Sequence, residues 1–169
     1  MRRIVPGIHS AGEALRVRPE AVKEVWLRDG ELNSELQELQ RIAQSTKTKI
    51  KYVSQKILEK EVFSHQGVIV FVEDAPSWPD ARRLRECSTS LILALDSLED
   101  PQNVGSLLRS AWNLGVTGVI CTKDRSAGFT PASQKVASGA FEHVPVMEVA
   151  NLMAELMVLK DLGFWVYGL

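Results

Sequence analysis

The sequence predicts an α/β protein in which a small α/β/α domain precedes a domain with an open parallel sheet. Short apolar runs that are typical of buried strands recur along the 169 residues and alternate with amphipathic segments at helical spacing. In the second half this strand–helix alternation has short connections, which indicates a parallel sheet covered on both faces. A segment rich in proline, tryptophan and aspartate separates the two halves.

The first half of the chain mixes helices with strands. Leu36, Leu39, Ile42 and Ala43 share one helical stripe, and the run from 67 to 72 is continuously apolar, as in a buried strand. Ser10 is a candidate cap for the first helix. The predicted helices cover residues 7–15, 34–44 and 54–61, and the predicted strands cover residues 22–27, 49–53 and 67–72.

The second half has a more regular pattern, in which a helix with Val104, Leu108 and Ala111 on its core stripe follows an apolar strand. The predicted strands cover residues 91–95, 116–121, 144–149 and 164–167, and the predicted helices cover 103–114, 131–140 and 152–159. The turn-rich segment at 73–80 divides the chain into a small domain (1–73), a linker (74–88) and a parallel-sheet domain (89–169).

The composition limits the classes of function that this protein can have. The formal net charge of −1 excludes a polybasic nucleic-acid binder. Residues 1–90 carry 15 lysines and arginines against 13 acidic residues, and residues 91–169 carry 5 against 8, so RNA contact needs a local patch. Cys87 and Cys121 lack metal-ligand spacing, so we predict reduced thiols and no metal site. Without a membrane-length apolar run or a signal peptide, the sequence favours a cytoplasmic protein.

The most informative stretch runs from Leu95 to Gly115. Its buried strand ends at Asp96, Asp100 and Pro101 turn the chain, and Asn103 follows where a helix N-cap is needed. From the residues alone, Asn103 is either a helix cap or a site residue. A glycine inside a helix normally costs about 1 kcal/mol relative to alanine. Gly105 therefore predicts that another part of the chain approaches the helix backbone closely here and compensates for this cost.

Arg109 lies off the core stripe of the same helix, on a polar face with Ser106 and Asn113. Folds of this class place their sites at the carboxyl ends of parallel strands, so such a face is a candidate site. The alternative is a solvated surface arginine, which is the commonest environment of arginine. Spacing alone leaves both interpretations open.

The pattern Leu-Asp-x-x-x-Asp-Pro-x-Asn-x-Gly-Ser-x-x-Arg-Ser-Ala-x-x-x-Gly at 95–115 resembles the first signature of the SpoU (TrmH-like) RNA ribose 2'-O-methyltransferases, of the SPOUT superfamily. The resemblance implies methyl transfer from S-adenosylmethionine to a ribose 2'-hydroxyl of ribosomal or transfer RNA. It also implies catalytic roles for Asn103 and Arg109, with the arginine deprotonating the hydroxyl or stabilising the developing oxyanion.

A second segment, residues 135–146, is similar to the family segment that ends in Gly-Ala-x-Glu-x-x-Pro. This similarity makes Glu142 the third catalytic candidate. The alternative interpretation of Glu142 is an exposed carboxylate at a helix end. His143 is interpreted as a surface neighbour and not as a catalytic base.

The first domain resembles the small substrate-binding domain that precedes many SpoU enzymes and is similar in shape to ribosomal protein L30. The similarity rests on residues 7–10 and on the His65-Gln66-Gly67 segment. It implies RNA binding, with His65 and Gln66 as candidates, although both could instead cap the entry to a strand. A local basic zone is formed by Lys47, Lys49 and Lys51 together with Lys56 and Lys60. That zone either contacts phosphates or is an ordinary solvated face.

The remaining family signatures, a Gly-Ser-Glu-Gly-type loop and a Ser-Leu-Asn-type segment, are not found in the 169 residues. In the family they build the knot that holds the cofactor, so we expect a C-terminally truncated chain that is inactive alone. The intact enzyme is expected to be a homodimer. A non-catalytic RNA-binding module is the alternative, and a nucleotide-binding α/β domain ranks last because no Gly-x-Gly-x-x-Gly motif follows a strand.

Overall fold

The computed structural model describes residues 3–86 and 89–168, so Cys87 lies outside the described residues. Two separate sheets are present, one of four strands and one of three. The four-stranded sheet contains β1 (Arg3–Pro6), β2 (Val22–Arg28), β3 (Lys49–Val53) and β4 (Val68–Val72), in the order β1-β4-β2-β3. Strands β2 and β3 are parallel, whereas β4 is antiparallel to both of its neighbours.

Helices cover both faces of this first sheet, which confirms the predicted α/β/α sandwich. The helices α1 (Ile8–Val17) and α2 (Ser34–Ser45) pack on one face, and α3 (Gln55–Glu61) packs on the other. The α2 stripe is buried at Leu36, Leu39 and Ala43, as its spacing predicted. All five residues of β4 are buried, because this central strand lies between the two helical layers.

The second sheet contains the strands β5 (Ile92–Leu95), β6 (Gly118–Thr122) and β7 (Val146–Val149), all parallel. One face carries α5 (Pro101–Asn113), α6 (Pro131–Val136) and a 3₁₀ turn (Ala140–Glu142). The other face carries α4 (Ala81–Glu86) and α7 (Leu152–Asp161). The predicted parallel sheet with two covered faces is therefore confirmed.

Several predicted elements differ in the structure. Strand β1 was not predicted, because its four residues are too few to show a period. The strand predicted at 164–167 is wrong, since these residues pair with no neighbouring strand in the described part of the chain. The helix predicted at 131–140 ends at Val136, because Gly139 takes a left-handed conformation with φ of 96°. Helix α4 lies inside the segment 74–88.

Ser10 does not cap α1, as the sequence had suggested, because it lies inside the helix and is buried. Its hydroxyl donates to the backbone oxygen of Gln134, 3.1 Å away, and so joins α1 to α6. Burial raises the pKa of the Cys121 thiol to about 11, which keeps this free cysteine protonated at neutral pH. In residues 3–86 and 89–168, every helix is too short or too polar to cross a membrane.

Candidate active site between the two sheets

An open cleft of about 730 Å³ lies where α1 and α2 of the first part face α5 of the second. Its walls carry side chains of mixed charge, including Arg16 and Glu35 from the first part and Arg109 from the second. Trp112 and Asn113 complete the α5 wall. The cleft therefore combines hydrogen-bond donors and acceptors from both halves of the chain.

Arg109 reaches this cleft because of how α5 is anchored. The helix begins after Asp100, whose carboxylate accepts a hydrogen bond from the Gln102 amide at 2.9 Å. Its apolar stripe is buried against the second sheet, so Arg109 remains exposed on the cleft side with Asn113 one turn later. In the described part of the chain, no residue forms an ion pair or hydrogen bond with the Arg109 guanidinium, whose donors are available to a ligand.

Asn103 is not the cap of α5, because Asp100 occupies the N-cap position three residues earlier. Asn103 is exposed in the first turn, where its backbone oxygen accepts a hydrogen bond from the Ser106 hydroxyl at 3.1 Å. Six residues of helix separate it from Arg109, a rise of about 9 Å. The structure does not bring Asn103 into the cleft that Arg109 lines.

Gly105 explains how α5 packs against α6. A Cβ atom at this position would lie 2.7 Å from the backbone oxygen of Ser133 and 2.7 Å from the Cβ of Val136. The close helix approach predicted from the sequence is therefore present. It sets the position of the helix that carries Arg109.

Glu142 is buried, with 2% of its surface exposed, and is not the exposed carboxylate of the alternative interpretation. Its oxygens lie 2.9 Å from Nη1 of Arg3 and 3.3 Å from Nη1 of Arg18, both in the first part of the chain. The same two arginines also donate to the backbone oxygen of Asp74. Glu142 therefore joins the two parts and does not contact Arg109.

His143 forms the next link between the parts. Its Nε2 atom lies 2.7 Å from a carboxylate oxygen of Glu13 on α1. Its ring stacks on Trp112, with the centroids 4.1 Å apart and the planes 15° apart. His143 is thus partly buried and links α1 to α5, so it is not the surface neighbour that the sequence suggested. Its contacts support the wall of the cleft.

The basic zone lies on the other side of the first sheet. Lys49 and Lys51 alternate along the edge strand β3 and approach Glu24 at 3.9 and 2.8 Å, on the face that carries α3. The hydrogen bond from Lys51 lowers the pKa of Glu24. Lys47 is exposed just before this strand. Since α1 and α2 cover the opposite face, the structure does not bring these lysines together with Arg109.

His65 and Gln66 both support the local fold. His65 is 7% exposed, its Nδ1 atom accepts the Gly67 N–H at 2.9 Å, and burial lowers its pKa. The side-chain oxygen of Gln66 accepts the Ile8 N–H at 3.1 Å and so caps the start of α1. Neither arrangement presents a group to the cleft near Arg109.

Sequence reasoning missed His9 and Arg16, which α1 contributes to the cleft, and the two arginines that neutralise Glu142. A signal for His9 was available, because it lies inside the 7–10 segment that was singled out. Arg16 follows His9 at seven residues, two helical turns later, which places both on one face of α1.

The fold and the cleft define a two-part α/β protein with the organisation of RNA ribose methyltransferases. Residues 90–169 match the model of the SpoU rRNA Methylase family, and residues 4–78 match the model described as RNA 2'-O ribose methyltransferase substrate binding. The chain belongs to the SpoU family.

Two curated relatives illustrate the similarity. The chain is 36% identical to the 23S rRNA (guanosine-2'-O-)-methyltransferase RlmB of Shewanella oneidensis, with 98% of this chain and 69% of the relative covered. It is also 36% identical to RlmB of Pseudomonas syringae, with 96% and 67% covered. The chain thus spans about two thirds of the length of these relatives.

Solved structures share the fold. The SpoU methyltransferase AviRb of Streptomyces viridochromogenes matches with a TM-score of 0.75 at 22% identity, with 96% of this chain and 59% of AviRb covered. An AdoMet-bound rRNA methyltransferase of Sinorhizobium meliloti matches with a TM-score of 0.72 at 16% identity, with 95% and 59% covered. S-adenosylmethionine is therefore the cofactor associated with this fold and family.

Proposed function

We propose that this protein takes part in the transfer of a methyl group from S-adenosylmethionine to a ribose 2'-hydroxyl of ribosomal or transfer RNA in the cytoplasm. The observation that carries this proposal is the guanidinium of Arg109. It is exposed in a cleft between the two parts, without a partner in the described residues, at the arginine position of the family signature. A cationic group with free donors suits an oxygen that gains negative charge.

The chemistry needs such a group because a ribose hydroxyl is a weak nucleophile. Transfer forms a bond between the 2'-oxygen and the methyl carbon, breaks the sulfur–carbon bond of S-adenosylmethionine and leaves S-adenosylhomocysteine, while the hydroxyl proton passes to solvent. Negative charge develops on the oxygen before that proton has left. Arginine stays protonated at neutral pH, so we assign Arg109 to stabilising this charge and not to accepting the proton. Its planar fork of N–H groups also orients the ribose.

The other two catalytic candidates have different places in this proposal. Asn103 is exposed on the helix that carries Arg109, and we propose that it contacts the RNA from the first turn. Glu142 is buried among arginines of the first part, so we propose that it acts through the packing of the two parts. It is a positioning residue and not a group that touches the ribose.

S-adenosylmethionine supplies the methyl group. The walls of the cleft beside Arg109 combine charged and polar side chains with the apolar Ile8, Leu39 and Trp112. We assign no cofactor contact to these residues. Their proposed role is to bind and orient the RNA and to stabilise the oxyanion.

RNA binding by the first part is supported by its match to a substrate-binding model and by the exposed Lys47 and Lys49. Each lysine that neutralises a phosphate releases counterions, so binding should weaken as salt concentration rises. The proposed substrates are those of the relatives, ribosomal RNA first. A homodimer is part of the proposal, on the resemblance to the family.

The test is methyl transfer from labelled S-adenosylmethionine to 23S ribosomal RNA. We would assay the 169-residue chain and a fusion that adds the C-terminal part of the Shewanella oneidensis relative that lies beyond the aligned region. In the fusion, Arg109→Ala should lower the single-turnover rate by about 10², the effect of losing one oxyanion donor. Arg109→Lys should restore the rate only in part, because an ammonium group lacks the planar fork.

The matched control is Arg82→Ala, which removes an exposed arginine from α4, away from the cleft. A rate close to wild type in Arg109→Ala would contradict the proposal and make Arg109 an ordinary surface residue. The alternative function is a non-catalytic RNA-binding module, favoured by the match of residues 4–78 to a substrate-binding model. Tight RNA binding by the fusion without methyl transfer would support that alternative.

A further inference from the structure

Phe63 is the most exposed large apolar side chain among the described residues, at 91% of its surface. It lies in the loop between α3 and β4. In the first part of the chain the other phenylalanine, Phe71, is 2% exposed and packs against Trp26. A single exposed apolar side chain is common on protein surfaces, so the meaning of this ring depends on the groups around it.

The loop that presents Phe63 is held in place by several contacts. His65 accepts the Gly67 N–H at 2.9 Å, and Gln66 accepts the Ile8 N–H at 3.1 Å. From the second part, the Lys135 ammonium donates to the hydroxyl of Ser64, next to Phe63 in the chain. The ring is therefore presented by a braced loop at the junction of the two parts, so its position is preorganised for a ligand.

A groove of about 470 Å³ lies beside the ring, and its lining is mainly polar: Arg28, Asn33, Gln55, Glu59, Ser64, His65 and Gln66. Two of these side chains are partly engaged, since Gln55 donates to Glu59 at 2.8 Å and the side-chain oxygen of Asn33 caps α2. The Nη2 group of Arg28 donates to the backbone oxygen of Glu31 at 2.6 Å. The groove thus combines one exposed aromatic face with a guanidinium and side-chain amides, a combination that suits a nucleotide.

We propose that Phe63 is a stacking platform for one base of single-stranded RNA, with Arg28, Asn33 and Gln55 contacting the attached nucleotide. The proposal rests on the proposed function, because it assumes that the first part binds RNA. It names a contact that differs from the lysines of β3. His65 and Gln66 also line the groove, but their hydrogen bonds support the fold.

Single-stranded RNA fits this surface better than a protein partner does. Sites for protein partners are contiguous apolar patches of several hundred Å², whereas the groove beside this ring is lined mainly by polar side chains. Base stacking needs only one aromatic face with polar groups around it, and it tolerates any base. The ring and groove match that requirement.

The test is a fluorescence anisotropy titration of the 169-residue chain with two probes, a labelled single-stranded oligoadenylate and 23S ribosomal RNA. Phe63→Ala should weaken binding of the oligoadenylate by about 5- to 150-fold, the range for one stacked base. Phe63→Trp should keep the affinity, and Phe63→Leu should lose it as alanine does, because leucine is apolar but has no π face. The affinity for double-stranded RNA should be the same in all three Phe63 variants as in the wild type.

The matched control is Leu114→Ala, which removes a side chain that is 76% exposed on the second part. Since Phe63 is almost fully exposed, its variants should unfold at the wild-type denaturant concentration. Unchanged RNA affinity in Phe63→Ala would overturn the proposal and leave the ring as a protein contact. Full affinity in Phe63→Leu would overturn stacking.

The outcomes separate this inference from the proposed function. Normal RNA binding by Phe63→Ala, together with Arg109-dependent methyl transfer by the fusion, would refute the stacking platform alone. Loss of binding in Phe63→Ala with methyl transfer that does not need Arg109 would refute the catalytic proposal alone. If the wild-type chain bound neither the oligoadenylate nor 23S ribosomal RNA, RNA binding by the first part would be refuted, and the platform with it.

Discussion

The carboxylate of Glu142 has two arginine partners that the chain supplies from distant positions. Arg3 lies 139 residues away and Arg18 lies 124 residues away, and both guanidinium groups approach the same buried carboxylate. Because the side chains of Arg3 and Glu142 are 4% and 0% exposed, this is a buried ion pair. Removing one member of a buried pair leaves an uncompensated charge, which is strongly destabilising.

Glu142→Gln should therefore lower the free energy of unfolding by about 3 kcal/mol, because it keeps the size of the side chain but leaves two arginines without a counter-charge. Urea denaturation followed by tryptophan fluorescence would measure this loss. The control is Glu86→Gln, which breaks an exposed pair with Arg82 and should cost at most about 1 kcal/mol. Equal small losses in the two variants would contradict the role of Glu142 in joining the parts.

His65 makes stability depend on pH. Burial lowers its pKa below the ordinary value of 6.5, so the folded protein binds fewer protons at this site than the unfolded chain does. Its contribution is fully present above pH 6.5 and is lost as the pH falls through the lower pKa of the folded state.

Glutamine at this position cannot titrate, so the unfolding free energy of His65→Gln should fall less between pH 7.5 and pH 5.5 than that of wild type, a range of about one unit either side of the ordinary histidine pKa. Urea denaturation across this range would measure both slopes. Because His9 and His143 are the same in both proteins, the difference between the slopes isolates His65. Parallel slopes would show that His65 keeps its ordinary pKa.

The residue scale also shows what the sequence could predict. Helical spacing and the signature placed Arg109 on a polar face of α5, and the structure has it exposed there. The capping of α5 was misassigned, because Asp100 and Asn103 are both good cap residues and only the chain geometry decides between them. The partners of Glu142 could not be predicted, since no local pattern links positions so far apart.

At the scale of elements, α5 and α6 approach each other closely at Gly105. Gly105→Ala would gain about 1 kcal/mol of helix propensity but would place a methyl group against a backbone oxygen that cannot move away. Overpacking of this kind typically costs about 1–3 kcal/mol, so we expect a net loss of stability.

The measurement for Gly105→Ala is the thermal or urea unfolding midpoint, with the exposed Ser106→Ala on the same helix as control. Ser106→Ala gains helix propensity without a clash, so it should be neutral or slightly stabilising. Since α5 would have to shift, Gly105→Ala should also disturb the position of Arg109. Stabilisation by both substitutions would contradict the close helix contact.

The elements that the sequence predicted well are those with strong local signals. Strand β4 has a continuous apolar run, and α2 has a clear stripe, so both were located within a residue or two. Strand β1 has neither signal, and it carries the buried Arg3, which is tolerated only because Glu142 comes from the other part. Tertiary partners of this kind are invisible to local patterns.

At the scale of the whole molecule, the arrangement of the two parts decides which surfaces act together. The cleft with Arg109 lies on the α1 and α2 side of the first sheet, whereas Lys49 and Lys51 lie on the α3 side. One RNA strand that contacts both surfaces must pass around the first part, or a second copy of the chain must supply one of them. The division of the chain into a small domain (1–73), a linker (74–88) and a parallel-sheet domain (89–169) also concerns the whole molecule, and it remains a proposal.

The second part also presents apolar side chains to solvent. Met153 and Met157, one turn apart on α7, are 67% and 50% exposed, and Trp165 is 86% exposed. Leu152, Leu156 and Phe164 are partly buried and pack against the core between α4, α7 and the second sheet. The exposed side of α7 is therefore formed by its methionines and Val158.

We predict that this surface drives self-association of the chain, because exposed apolar area on one helix face is buried when two copies meet. Sedimentation velocity should show a mass that rises with protein concentration. Met157→Lys should shift the protein toward the monomer, since a charged side chain resists burial. Leu114→Lys should leave the association unchanged, because Leu114 is exposed at the end of α5 and not on α7. A single monomeric species at high concentration would rule out association through this face, whereas dimers that persist in Met157→Lys would place the contact elsewhere on the molecule.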